Sequence, residues 1–241
     1  MVEVSYLDRM ISEKRVYDQE GVERILTGGI SKKEAQFIMS LIQEKKLGTC
    51  VETGVAFGVS TLAICTALSE LRKSGHECKH YGADPCQFTD YNGSALETLR
   101  RNDLSDLFEL LEGPSHLMLP RLVERKIKVD LAFIDAWHTF DYTLIDVFLA
   151  DKLLRPGGFL LMHDYVMSSK KKVWRYLLSH RNYRPIPGPS ISMLRQILSS
   201  GKQLTGLHFQ QSYEKLFTRT NLAVAQKIDD FEPEYHFFKR F

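Results

Sequence analysis

The sequence predicts an α/β fold, a Rossmann-like, doubly wound, mostly parallel sheet of about seven strands with helices on both faces. Two stretches and one pattern predict it. Thr49 to Ser60, TCVETGVAFGVS, reads as a buried strand, a glycine-bearing turn and the start of a helix. Val129 to Asp135, VDLAFID, is a nearly continuous apolar run of the kind that fills the centre of a parallel sheet covered on both faces. Around these two stretches, helix-like and strand-like patterns alternate, as parallel strands joined by crossovers require.

The 241 residues suffice for one sizeable core, and 44% apolar with 26% charged residues is a globular composition. A single domain over 1–241 is expected: an N-terminal extension (1–30), a ligand-binding core (31–165), and substrate-side and closing strands (166–241). The first thirty residues carry frequent charges and no long apolar run, so neither a signal peptide nor a membrane span is expected, and the cytoplasm is the default location. Cys50, Cys65, Cys78 and Cys86 form no C-x-x-C pair and read as reduced structural thiols. A net charge of +2 singles out no nucleic-acid partner, and the basic cluster Lys170, Lys171, Lys172 and Arg175 reads as a solvated helix face.

Residues Met1 to Gly29 read as a helical or irregular lead-in: a packing decoration, a lid over the site or a dimer contact. Ser31-Lys-Lys-Glu34 is a capping box that starts a helix with the stripe Phe37, Ile38, Leu41 and Ile42, and Gly48 ends the connection. Thr49 to Val51 then form the strand that Glu52 closes. Gly54 and Gly58 permit a sharp bend and a close backbone approach to a ligand, and Ser60 and Thr61 cap the helix through Leu62, Cys65, Leu68 and Leu71. The next strand, His80 to Asp84, ends in an acid that would lie beside the ribose of a bound nucleoside and accept from its hydroxyls.

Ser94 to Asn102 reads as a helix, Phe108 to Glu112 as the third strand, and Gly113-Pro114-Ser115 as the turn before a helix holding Leu117, Leu119 and Leu122. After the central run come Ala136-Trp137-His138-Thr139-Phe140-Asp141, a helix through Tyr142, Ile145, Leu149 and Leu153, then Pro156-Gly157-Gly158, a strand Phe159 to Met162, and His163-Asp164. Val173 to Leu178 continues as helix, Pro185 to Pro189 as a loop, Ile191 to Leu198 as helix and Leu222 to Ile228 as a strand. The stretch between Arg184 and Gln211 is expected to carry substrate selectivity, as variable loops over the sheet's edge do. The aromatic tail FEPEYHFFKRF either packs back on the core or joins an oligomer contact.

Glu52-Thr-Gly54-Val-Ala56-Phe-Gly58 resembles the acid-x-Gly-x-Gly-x-Gly turn of class I S-adenosylmethionine-dependent methyltransferases, with Ala56 at the middle glycine. Together with Asp84, FIDAWHTFD, LLRPGG and the strand-ending His163-Asp164, it is similar to the small-molecule O-methyltransferase branch, of macrolide-sugar and catechol type, over residues 31–165. The resemblance implies S-adenosylmethionine held by Glu52, Gly54, Gly58, Ser60, Asp84, Ser115 and Asp135, with Ser115 near the adenine and His116 stacking beside it. His138 would be the base that removes the acceptor's proton, with Asp135 beside it in the catalytic pair. Asp135, His163 and Asp164 would form a site for Mg²⁺ or another divalent cation, in which histidine is the poorer magnesium ligand.

The expected reaction is therefore methyl transfer to an oxygen of a small-molecule acceptor, with a metal-assisted and a metal-free form both open. A homo-oligomer is also open. One rival is an NAD-dependent oxidoreductase on the same sheet, disfavoured by the missing Gly-x-Gly-x-x-Gly. Another is a non-catalytic nucleoside-binding module. Methylation of RNA or protein finds no basic stripe or binding module to support it.

Overall fold

In a computed structural model, which describes residues 5–189 and 221–241, seven strands form one sheet in the order β5-β4-β3-β6-β7-β9-β8. In chain order the elements are α1 (Tyr6–Glu13), β1 (Arg15–Tyr17), β2 (Glu23–Ile25), α2 (Lys32–Lys45), β3 (Thr49–Thr53), α3 (Val59–Lys73), β4 (Lys79–Asp84) and α4 (Ser94–Arg101). They continue with β5 (Phe108–Glu112), α5 (Ser115–Glu124), β6 (Val129–Ile134), α6 (Phe140–Leu153), β7 (Leu154–Met162), α7 (Ser168–His180), β8 (Tyr183–Ile186) and β9 (Ala223–Lys227). Strands β3 to β7 pair in parallel, while β9 runs antiparallel to both β7 and β8.

The two faces of the sheet can be read from single strands. Along β6, Leu131 and Phe133 enter the core shared with α1 to α4, whereas Ala132 and Ile134 enter the core under α5, α6 and α7. Successive side chains of a strand point to opposite faces, so a run buried on both sides must be apolar throughout. Reversal of the strand order between β3 and β6 leaves a crevice at their carboxyl ends, where α/β sheets bind ligands.

The lead-in is more ordered than its sequence suggested. After α1 it forms the antiparallel hairpin β1–β2, whose turn Asp18 closes by accepting from the backbone N–H groups of Glu20 and Val22. The Ser31 capping box forms as expected. The helix after the glycine turn does not use Ser60 or Thr61 as caps; Gly58, at φ +83°, is its N-cap and no side chain closes it. Pro185 lies in β8 at the sheet's edge rather than in a loop, where its missing N–H costs no ladder bond. The expected helix Ile191 to Leu198 and most of the expected selectivity segment lie outside the described residues.

The aromatic tail packs against the end of α7. Rings of Phe237, Phe238 and Phe241 lie 5.5, 5.7 and 5.1 Å from the His180 ring at the end of α7, and the backbone N–H of Lys239 donates to His180 Nε2. No helix among the described residues is long and apolar enough to cross a membrane.

Candidate active site

The carboxyl ends of β3, β4, β6 and β7 bring Glu52, Asp84, Asp135 and the His163-Asp164 pair to one edge of the sheet, around the glycine turn. Backbone crowding fixes the turn's composition. A Cβ on Gly54 would stand 2.5 Å from the carbonyl oxygen of Asp135, and one on Gly58 would stand 2.8 Å from Ala95 Cα. Both glycines also have φ of +83°. The glycines thus serve close approach to neighbouring backbone as well as to any ligand. Ala56, where the motif has its middle glycine, adopts the left-handed conformation at φ +48°.

Two of the acids expected to touch a cofactor hold this turn from behind. Glu52 is wholly buried, and its carboxylate accepts from Ser60 Oγ at 2.7 Å, from the Thr61 hydroxyl and from the His80 ring at 2.9 Å. Ser60 is buried and turned toward Glu52. Asp84 Oδ2 accepts from the backbone N–H groups of Val55 (2.9 Å) and Ala56 (2.8 Å), while Oδ1 accepts from Cys86 (2.7 Å). Gln87, which the sequence reading passed over, adds a second brace by donating to the Ala56 carbonyl and accepting from the Ala95 N–H.

The cleft in front of the turn is lined by Gly54 to Ser60, Asp135 and the lead-in residues Leu26 to Ile30. The N-terminal extension therefore covers part of the site. Ser115, buried at the first turn of α5, stands beside Asp146 of α6. Asp146 is fully buried, and burial raises its pKa while the neighbouring hydroxyls of Ser115 and Thr53 oppose the shift. His116 packs its ring edge-on to Tyr142 at 5.5 Å.

Asp135 joins the cleft to a second cluster. His163 Nδ1 lies 3.1 Å from Asp135 Oδ1, and its Nε2 lies 3.7 Å from Glu34 Oε2, the same oxygen that closes the capping box. Burial opposes the imidazolium, yet Asp135 and Glu34 outweigh it and push the His163 pKa up to about 10. Two acids thus face the His163 ring and favour its charged form, while Asn221 Nδ2 stands 3.3 Å from Nε2. The donor set that does converge is Asp135, His138 and Asp164, with one ligand atom from each within 4.8 Å of the others. His138 Nε2 is 3.4 Å from Asp164 Oδ2, and Asn221 Nδ2 donates to Asp164 Oδ1 at 2.7 Å. Burial and then Lys170 lower the His138 pKa below the ordinary histidine value, against Asp164 and Asp135.

Lys170 departs from the solvated helix face expected of its cluster. It belongs to the basic cluster at the start of α7, but unlike Lys171 and Lys172 it is 0% exposed, with Nζ 3.9 Å from Asp135 Oδ1. Burial lowers its pKa while Asp135, Asp164 and Asp146 oppose the shift. The signal was present. Lys170, Val173, Trp174 and Leu177 repeat at helical spacing, and all four are buried. This ammonium and the His163 side chain both stand beside the carboxylates that the triad would offer to a divalent cation.

Residues 51–165 match a family model described as a methyltransferase domain. No curated protein sequence matches the chain significantly. Among solved structures, an O-methyltransferase from Bacillus cereus in complex with S-adenosylhomocysteine shares 18% identity over 67% of this chain and 77% of that one, with a TM-score of 0.57. The O-methyltransferase TomG from Streptomyces achromogenes, involved in tomaymycin synthesis and in complex with S-adenosylmethionine, shares 16% over 83% of this chain and 82% of that one, with a TM-score of 0.59. The S-adenosylhomocysteine-bound methyltransferase PaMTH1 from Podospora anserina shares 16% over 68% and 76%, with a TM-score of 0.57. The sheet order, the braced glycine turn and the family match agree: residues 51–165 are similar to a methyltransferase domain, and the chain shares the Rossmann-like fold of these structures.

Proposed function

We propose that the protein transfers the methyl group of S-adenosylmethionine to an oxygen of a small-molecule acceptor. The observation that carries this reading is the imidazole of His138, its pKa lowered by burial, held beside Asp164 at the carboxyl edge of the sheet, one short loop from the strand end at Asp135 that lines the glycine-turn cleft. The similar O-methyltransferases crystallised with S-adenosylmethionine or its product support the same donor and acceptor atom.

In this reading the backbone of Gly54 to Gly58 and Asp135 bind the amino-acid end of the cofactor. Asp84 holds the turn and offers the second lone pair of Oδ1 to the ribose, and Ser115 borders the adenine. The acceptor hydroxyl gives its proton to His138 Nδ1, the ring nitrogen turned away from Asp164, its oxygen forms the new O–CH₃ bond, and the electron pair of the broken S–CH₃ bond stays on sulfur as the neutral thioether. Holding donor and acceptor in line while removing that proton is what the protein contributes.

The test is release of S-adenosylhomocysteine when the protein is incubated with S-adenosylmethionine and a panel of phenolic, catecholic and sugar hydroxyl acceptors. Turnover with at least one acceptor, greatly reduced in His138→Gln, is expected. Bound cofactor with no turnover on any hydroxyl, or transfer to nitrogen alone, contradicts the proposal.

A further inference from the structure

The acids at the ends of β6 and β7 already face a cation that belongs to the chain. Lys170 is the third residue of α7, which starts four residues after Asp164, so the helix opens directly over the strand ends. Its side chain is completely buried and its Nζ has no hydrogen-bond partner among the described residues. An ammonium carries three donors, and burying it unpaired is costly unless nearby charge compensates. Here the compensation is visible: Asp135 Oδ1 at 3.9 Å, with Asp164 and Asp146 also acting on its charge.

The same carboxylates belong to the group Asp135, His138 and Asp164, whose donor atoms lie within 4.8 Å of one another. Such spacing suits a hard divalent ion. A divalent ion there would sit against the Lys170 ammonium and the His163 side chain, whose Nδ1 is 3.1 Å from Asp135 and 3.8 Å from Asp164. Like charges at such range in a partly desolvated site repel strongly.

We propose that Lys170 is the resident cation of the Asp135–Asp164 pair: its ammonium fills the electrostatic place of a divalent metal and keeps the triad metal-free. The residue is a positioning residue for Asp135 and Asp164, and a conservative change should expose the metal site that it closes.

The experiment is a Mn²⁺ titration followed by electron paramagnetic resonance on the full chain, comparing wild type, Lys170→Met, Lys170→Arg and the double variant Lys170→Met/Asp164→Asn. Wild type and Lys170→Arg should bind Mn²⁺ only in the millimolar range. Lys170→Met should bind at least tenfold more tightly, and adding Asp164→Asn should remove that gain. Micromolar Mn²⁺ binding by wild type overturns the proposal, as does a folded Lys170→Met whose affinity is unchanged. If Lys170→Met fails to fold, Lys170→Gln takes its place and the wild-type titration still decides. Calorimetric titration of wild type with S-adenosylhomocysteine is run alongside. Failure to bind it would sink the methyl-transfer reading, while the Mn²⁺ series would still judge Lys170.

Discussion

His138 has the properties a base needs before any acceptor arrives. Its imidazole is partly exposed, and burial with Lys170 holds its pKa below the ordinary histidine value, which favours the neutral form. A base works only when deprotonated. Methyl transfer should therefore be level through neutral pH and fall on the acid side as the imidazole protonates, with an apparent pKa below about 6.5. A pH profile of kcat/KM checks this, and an acid limb centred above 7 would contradict it. His138→Gln should lower kcat by about 10²- to 10⁴-fold while S-adenosylhomocysteine affinity stays within about twofold. At this scale the sequence was readable where chemistry follows position along a strand: Asp135, His138 and Asp164 lie at strand ends and in the adjoining loop, and the fold brings them together. It was least readable where a side chain's direction decides its role. Lys170 reads as one of several surface lysines until the apolar spacing of α7 is extended back to it, and Asp146 reads as an ordinary helix residue until α6 is packed on the sheet.

The glycine turn is the element on which the site depends, and its bracing was the less legible half. Glu52 and Asp84 look like cofactor ligands in sequence because strand-ending acids commonly are. In the fold, Glu52 faces inward to Ser60, Thr61 and His80, and Asp84 accepts three backbone N–H groups. Sequence spacing placed the acids correctly and could not show which way their side chains turn. Glu52→Ala would leave three buried polar partners without their acceptor, and we expect a loss of about 3–5 kcal/mol in urea-induced unfolding. A loss below about 1 kcal/mol with weakened cofactor binding would identify Glu52 as a direct ligand instead. Gly54→Ala forces a Cβ against the Asp135 carbonyl at a φ of +83°. The expected cost is about 2–4 kcal/mol, from overpacking and left-handed backbone strain together. The hairpin β1–β2 escaped the sequence reading for a different reason: three-residue strands are too short to show alternation, and only the Asp18 to Gly21 turn marks them.

For the molecule as a whole, the buried His163 ties α2, β6 and β7 into one electrostatic unit through Glu34 and Asp135. Its folded-state pKa of about 10 lies above the unfolded value near 6.5, so its contribution is fully present below about pH 6.5 and is lost as pH rises through about 10. Unfolding free energy should decline across that window by an amount on the order of a few kcal/mol, and His163→Gln should flatten the decline. Equal pH slopes in wild type and variant would show that the ion pairs contribute nothing. The doubly wound architecture itself was legible from the apolar run of β6 and the turn after β3, because parallel strands buried on both faces leave few other arrangements.

The most direct test of the central claim is calorimetric titration of the full chain with S-adenosylmethionine, S-adenosylhomocysteine and NAD⁺. The structure predicts saturable one-to-one binding of both sulfur nucleosides, no binding of NAD⁺, and loss of binding when the turn is distorted by Gly54→Ala in a variant that remains folded. Binding of NAD⁺ in place of the two, or of none of the three, would contradict the assignment of the Gly54 to Gly58 turn as an S-adenosylmethionine site.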